Sequence, residues 1–265
     1  MRSVEFSAHP GLFAVFSGRE DGDMAATASP EAAAAARTAL ARAQGADPAR
    51  LRFMRQIHSA DVAPVGPEAG AGSDEVPTAD AIVDASGELI PAVLTADCVP
   101  VVFAATGSVP DAAGPGPART LLAAAHAGRP GLLAGVLEHT VAALRERGAR
   151  DIEAWIGPAV CGACYEVPQD MQDAAEAMDP GISATTSWGT PSLDLPRSAA
   201  ARLRRAGVSV RDIGVCTLHG SHNFSYRGGD AVARNVSLVL RRDPDAQGGQ
   251  YMEQGTGSPD GRGEA

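Results

Sequence analysis

The chain has 265 residues, 45% hydrophobic and 20% charged, with a formal net charge of −10 from 32 acidic and 22 basic side chains. That excess of acid argues against a nucleic-acid partner, whose phosphates call for basic surface. Every basic residue other than histidine is arginine, which excludes chemistry needing an ε-amine, such as a Schiff base or a phosphate-binding P-loop lysine.

The first residues lack the apolar core of a signal peptide, and no run reaches the roughly 18 apolar residues of a membrane span. A cytoplasmic protein without a membrane partner is therefore expected. Residues 11–17 read as a strand behind a Pro10-Gly11 turn. An alanine-rich helix follows from its cap at Ser29 to about Gln44, with Pro30 in the first turn. A strand is predicted over 51–57. After a loop rich in Gly, Pro, Ala and Ser at 66–78, the runs 81–83 and 92–94 flank a turn at Gly87 and read as a hairpin or as neighbouring strands. Residues 99–105 do not alternate, so they read as a strand buried on both faces. A mobile loop is predicted over 106–119, and 121–125 is a strand running into His126. Beyond it, Leu132, Leu133, Val136, Leu137, Val141 and Leu144 mark one face of a helix that Gly148 stops. Strand 151–156, helices 168–178 and 196–206, and strands 208–218 and 232–240 complete the series. From residue 243 onward there is no Leu, Ile, Val, Phe or Trp. Residues 243–265 are therefore expected to form a disordered tail, leaving 1–242 as one α+β domain with a mixed sheet.

Three residues sit where a strand-like run meets a turn: His58 in Arg55-Gln56-Ile57-His58, Cys98 in Thr95-Ala96-Asp97-Cys98, and His126 in Ala125-His126-Ala127-Gly128. Imidazole and thiolate are zinc ligands, and three of them with an open position is the pattern of a catalytic site. A water bound at such a site ionises near neutral pH. The rival reading is three packed residues that share no local motif. Gly128-Arg129-Pro130-Gly131 before a helix suits an anion, or is a plain β–α turn with a solvated arginine. Cys161-Gly162-Ala163-Cys164 has the spacing of a redox pair or of half a zinc knuckle. No second CxxC or nearby histidine pair completes a knuckle, and Cys216 lies far along the chain. These cysteines are therefore expected to be structural and dispensable for metal binding. His219 and His222 read as a ligand pair or as part of a surface loop. Ser225-Tyr226-Arg227 offers a hydroxyl, a phenol and a guanidinium to a phosphate or ribose. Neither G-x-S-x-G nor S-x-x-K supports a serine nucleophile, and no G-x-G-x-x-G links a strand to a helix.

Seven fragments then occur in order: Gln56-Ile57-His58, Ala79-Asp80-Ala81, Thr95-Ala96-Asp97-Cys98-Val99-Pro100, His126-Ala127-Gly128, Ile156-Gly157-Pro158, Tyr165-Glu166-Val167 and Phe224-Ser225-Tyr226-Arg227. The series resembles the YfiH-like family, also labelled polyphenol oxidase or laccase-domain proteins, over residues 10–240. The resemblance implies a single α+β domain with mixed β-sheets layered between helices, the CNF1/YfiH-like cysteine hydrolase fold. It implies a zinc ion held by His58, Cys98 and His126. The implied activity is purine nucleoside phosphorolysis (of adenosine, inosine, guanosine and methylthioadenosine) together with adenosine deamination. Cys98, His126 and Asp97 are then the expected catalytic residues, with Asp97 or another carboxylate moving protons. Arg55, Gln56, Arg129 and Arg227 are expected to bind nucleoside and phosphate, in a monomer or small homo-oligomer. Two departures stand out. The family's His-Ala-Gly-Trp-Arg-Gly is here His126-Ala-Gly-Arg129-Pro130-Gly131, and its Ser-Tyr-Arg-Arg is here Ser225-Tyr226-Arg227-Gly228. Three rival functions remain: copper-dependent oxidation of phenols, for which six histidines are few; a cysteine hydrolase of cell-wall precursors using Cys98 and His126; and a non-catalytic ligand-binding protein.

Overall fold

Residues 1–27, 29–66, 76–108 and 118–242 are described by a computed structural model. The predicted tail at 243–265 and most of the loops at 66–78 and 106–119 lie outside the described residues. The chain opens with an antiparallel pair, β1 (Arg2–Glu5) and β2 (Leu12–Phe16), and then α1 (Pro30–Ala43). The expected cap holds: the Ser29 side chain accepts the Ala32 N–H at 3.2 Å. Next come β3 (Leu51–Arg52), β4 (Val62–Val65), β5 (Ala81–Asp84), β6 (Ile90–Thr95), β7 (Val99–Gly107) and β8 (Arg119–Ala127). The second half holds α2 (Arg129–Ala134), α3 (Val136–Glu146), β9 (Ala149–Ile156) and α4 (Gln169–Met178). It continues with the small hairpin β10 (Ser183–Thr185) and β11 (Pro191–Leu193), then α5 (Leu195–Arg205), β12 (Ser209–Asp212) and β13 (Asn235–Arg241).

Six strands pair in the order β12-β9-β7-β8-β5-β4 and five in the order β1-β2-β13-β6-β3. Both sheets are mixed, with parallel pairs at their margins. Period-two alternation along β7 sorts its apolar side chains between two cores. Val101, Phe103 and Ala105 pack with Leu137 and Leu144 of α3 and Leu203 of α5. Val102 and Ala104 pack with Phe16, Val93 and Val239 of the other sheet. On that sheet's far side, Val15, Ile90 and Leu238 meet Leu40 of α1. The layers are thus helix, sheet, sheet, helix, as the resemblance implied. One buried charge crosses the two sheets. Glu153 of β9 accepts the Ala8 N–H at 2.8 Å and the Ser7 hydroxyl at 3.0 Å, both from the β1–β2 turn, and meets Arg211 Nε at 3.3 Å.

Several expectations need correction. The strand over 51–57 shrinks to β3, because the Gln56 side chain substitutes for a backbone ladder. Its amide donates to Leu94 O at 2.7 Å and accepts from Leu94 N–H at 3.0 Å. The runs around Gly87 are not a hairpin, since β5 and β6 belong to different sheets. The crossing turn is organised by Asp84, which accepts the N–H groups of Ser86 and Leu89 at 2.9 and 3.0 Å. Gly87 there has φ +71. The long helix after Gly128 breaks at Gly135, φ +94, into α2 and α3. Of the strand at 208–218 only β12 remains, and the chain beyond it crosses to residue 159 through an isolated parallel bridge between Ala159 and Cys216. β1, β4 and the β10–β11 hairpin were not anticipated. Among the described residues no helix is long and apolar enough to cross a membrane.

Candidate metal and active site

His58, Cys98 and His126 converge. His58 lies on the turn after the Gln56 clasp, Cys98 in the tight connection from β6 to β7, and His126 near the end of β8. Their ligand atoms lie within 4.8 Å of one another. Cys98 Sγ is 3.7 Å from His58 Nε2, and the two imidazoles meet edge to face with centroids 4.7 Å apart. His126 is buried, Cys98 half-buried and His58 exposed, so the group opens to solvent on one side.

The residue that assembles this group is Asp80. Its fully buried carboxylate accepts the backbone N–H groups of Ile57, His58 and Ser59 at 3.1, 2.9 and 2.6 Å, and meets His126 Nδ1 at 2.7 Å. A buried charge must be paired, and this one is spent on fixing the His58 turn and the His126 ring together. His58 has φ +62 and Asp97 φ +88, the two non-glycine residues of positive φ among those described. Left-handed backbone at such residues costs free energy and persists only where its surroundings enforce it.

Glycine is needed as well. A Cβ on Gly128 would stand 2.5 Å from His58 Cδ2 and 3.2 Å from Cys98 Sγ, and one on Gly131 would stand 2.5 Å from Ser59 O. At the sequence level these glycines suggested room for a ligand. Their role in the structure is to let the His58 turn lie against the start of α2.

Burial alone pushes the Cys98 thiol up, but the hydrogen bonds and charges of His126 and His58 outweigh it and bring it down to about 6. Burial pulls the His126 imidazole down, whereas Asp80 and Cys98 together raise it to about 9. Desolvation pushes Asp80 up, and hydrogen bonds from His126 and the backbone at Ser59 and Ile57 bring it down to about 2. The group therefore favours a thiolate beside positive charge. Two imidazoles and a thiolate, with one imidazole locked from behind by a carboxylate, fit a divalent metal of the zinc or copper kind.

The other expected site residues fall into two sets. Asp97 does not aim its carboxylate at the triad. That group is buried and accepts the Thr217 and Ser225 hydroxyls at 2.6 and 2.7 Å and the Arg227 N–H at 2.7 Å. Gln56 is occupied with Leu94, and Arg55 Nε donates to Thr78 Oγ1 at 2.9 Å. Arg129, by contrast, is half-buried at the first position of α2, with no side-chain hydrogen bond or ion pair to any described residue. The Arg227 guanidinium is exposed and lies 4.3 Å over the Tyr165 ring. Sequence reasoning missed the role of Asp80. The available signal was a lone acid between alanines at the start of an apolar run.

The CxxC also has neighbours that its spacing did not predict. Cys216 and His219 stand beside Cys161 and Cys164, with one ligand atom of each within 4.8 Å of the others. The bridge from Ala159 to Cys216 closes a gap of more than fifty residues, which spacing along the chain could not reveal.

Residues 21–242 match the family profile described as multi-copper polyphenol oxidoreductase laccase. A Streptomyces coelicolor protein named purine nucleoside phosphorylase is 47% identical over 213 residues, covering 79% of this chain and 83% of its own length. A Mycobacterium bovis protein of the same name is 40% identical over 214 residues, covering 79% of this chain and 80% of its own. Among solved structures, a Neisseria meningitidis protein of the DUF152 family superposes with a TM-score of 0.72 at 30% identity, over 91% of this chain and 99% of that one. YfiH of Bacillus licheniformis shares the fold, with a TM-score of 0.68 at 22% identity over 86% of this chain and 92% of its own.

Proposed function

This chain belongs to the multi-copper polyphenol oxidoreductase laccase family, the YfiH-like proteins, and from that premise we propose that it is a zinc-dependent purine nucleoside phosphorylase that also deaminates adenosine. The convergence of His58, Cys98 and His126 on one point carries this reading. The name shared by relatives at 40–47% identity supplies the substrate class: purine nucleosides, with phosphate. Adenosine, inosine, guanosine and methylthioadenosine are the nucleosides we assign. A free thiolate at Cys98 persists in a reducing compartment, which fits a cytoplasmic enzyme.

His58, Cys98 and His126 would hold the zinc, which when bound supplies Lewis-acid polarisation and lowers the pKa of water. The remaining steps belong to this chain's own residues. His126 keeps a proton on Nδ1 toward Asp80, which fixes its ring and leaves Nε2 for the ligand position. Arg129 follows Gly128 at the start of α2 and has no side-chain partner among the described residues, so its fork of donors is suited to an incoming phosphate. Arg227, stacked on Tyr165, offers a second guanidinium. Phosphate held by these arginines attacks the ribose C1′ as the bond to the purine breaks and the departing base takes up a proton. Asp97 acts by position, gripping the backbone of Arg227 one residue away from Cys98. Asp80 is the carboxylate in contact with the triad. Arg55 and Gln56 brace the His58 turn.

The family profile's description favours a second reading, copper-dependent oxidation, because two His and one Cys are also the ligands of a blue-copper centre. Oxidation by several coppers needs many imidazoles, and among the described residues neither ligand group contains more than two histidines. The deciding experiment incubates zinc-loaded protein with adenosine, with and without phosphate, and identifies the products. Adenine formed only with phosphate supports phosphorolysis, and inosine supports deamination. Absence of both, with oxidation of a phenol by the copper-loaded protein, overturns the reading.

A further inference from the structure

A second group of ligand-type side chains lies outside this site. Cys161 and Cys164 occupy a tight turn after β9, in which the N–H groups of Cys164 and Tyr165 fold back on Cys161 O at 2.9 and 3.0 Å. The segment after β12 runs alongside, with Ala159 N–H donating to Val215 O and Thr217 N–H to Ala159 O, both at 3.1 Å. These bonds set Cys216 Sγ 3.4 Å from the Cys161 N–H donor nitrogen, and Cys164 Sγ 2.9 Å from His219 Nε2. We propose that Cys161, Cys164, Cys216 and His219 form a second metal site, a closed Cys3His zinc site with a structural role. The inference does not depend on which reaction the first site performs.

Four protein ligands of this kind leave no open position, which is the composition of a structural zinc centre. A tetrahedron with metal–sulfur bonds of about 2.3 Å has edges of about 3.8 Å, and the four ligand atoms already lie within 4.8 Å of one another. The spacing is that of two knuckles, C-x-x-C from one limb and C-x-x-H from the other. The N–H of Cys161 pointing at Cys216 sulfur is the kind of outer hydrogen bond that orients a metal ligand. A Cys161–Cys164 redox pair accounts for the geometry less well. Such a pair draws its reactivity from a helix N-terminus or neighbouring positive charge, whereas 161–164 is a turn, and it would give Cys216 and His219 no part.

The role follows from what the two limbs hold. Val160 N–H donates to Asp97 O at 2.9 Å from one limb, and the Thr217 hydroxyl donates to the Asp97 carboxylate at 2.6 Å from the other. A zinc ion joining the limbs would therefore clamp the surroundings of Asp97, the neighbour of Cys98.

The test is metal analysis of the full chain purified anaerobically. Two zinc ions per chain are expected, one for each ligand group. Cys161→Ser with Cys164→Ser should lose one, while a variant with His58, Cys98 and His126 all changed to Ala should keep one. Cobalt(II) loaded into that second variant should show thiolate-to-metal absorption and the intense d–d bands of tetrahedral coordination. Should either multiple variant fail to fold, His219→Cys is expected to retain zinc, and His219→Ala to lose it to a competing chelator at least tenfold more readily. The proposal is overturned if the variant lacking the first site binds no zinc, if His219→Ala holds zinc as the wild type does, or if thiol titration finds Cys161 and Cys164 joined as a disulfide. Loss of phosphorolysis as the assigned activity would alter none of these counts.

Discussion

At the scale of single residues, the first site depends on what is missing at position 128. Gly128 has φ −66 and ψ 160, a backbone any residue adopts, so alanine there is a purely steric probe. Gly128→Ala should displace His58 or Cys98 and lower activity by about 100-fold, the cost of a misplacement near 1 Å. The circular dichroism spectrum should be unchanged, and full activity would show that His58 can retreat without harm. Arg129 tests the opposite case, a side chain that holds nothing together. Arg129→Ala should change stability by less than about 0.5 kcal/mol and leave zinc content intact, while raising the Michaelis constant for phosphate and sparing deamination. Equal loss of both activities would give Arg129 a part in nucleoside binding. The triad residues stood out because His and Cys carry recognisable chemistry, but the resemblance, not their spacing, joined the three into one expected site. Asp80 was not, because its importance lies in four simultaneous partners drawn from two distant segments.

Among elements, connections were harder to read than strands. The apolar run of β7, the cap of α1 and the helix α5 follow from the local sequence, and each appears close to its predicted bounds. Local pattern could not say that β5 and β6 part company into different sheets. The turn between them carries that information, and Gly87 is its most constrained point. A Cβ there would meet Thr120 Cβ at 2.8 Å and Thr120 O at 2.9 Å, and the positive φ already disfavours a side chain. Gly87→Ala should therefore destabilise by more than about 1 kcal/mol, seen as a lower urea midpoint with an unchanged slope. Unaltered stability would mean that the crossing between sheets is more tolerant than its geometry suggests.

For the whole molecule, the layer order follows from burying two-faced strands on one side and amphipathic helices on the other. The resemblance anticipated that architecture better than any periodicity. It gave no sign of the polar ties across the layers, because these join side chains far apart in sequence. Glu153 is the clearest of them, a carboxylate that links the β1–β2 turn to the six-stranded sheet. Glu153→Ala should cost about 1–3 kcal/mol through the donors it leaves unsatisfied. Glu153→Gln, which keeps an acceptor oxygen, should cost less in the same chemical denaturation series. Equal losses for the two would place the effect in packing and not in hydrogen bonding.

The grip of Asp97 on the segment after Thr217 has a consequence in time as well as in space. Arg227 belongs to an exposed loop, yet its N–H ends on a buried carboxylate. An amide so placed exchanges with solvent only when the loop lifts away from Asp97, so its protection measures how often that happens. Native-state hydrogen exchange should find the Arg227 amide slow for a surface turn, and Asp97→Ala should return it to the rate of an open loop. Rapid exchange in the wild type would mean that the loop leaves Asp97 continually, and that the wall beside Cys98 opens and closes by itself between encounters with substrate.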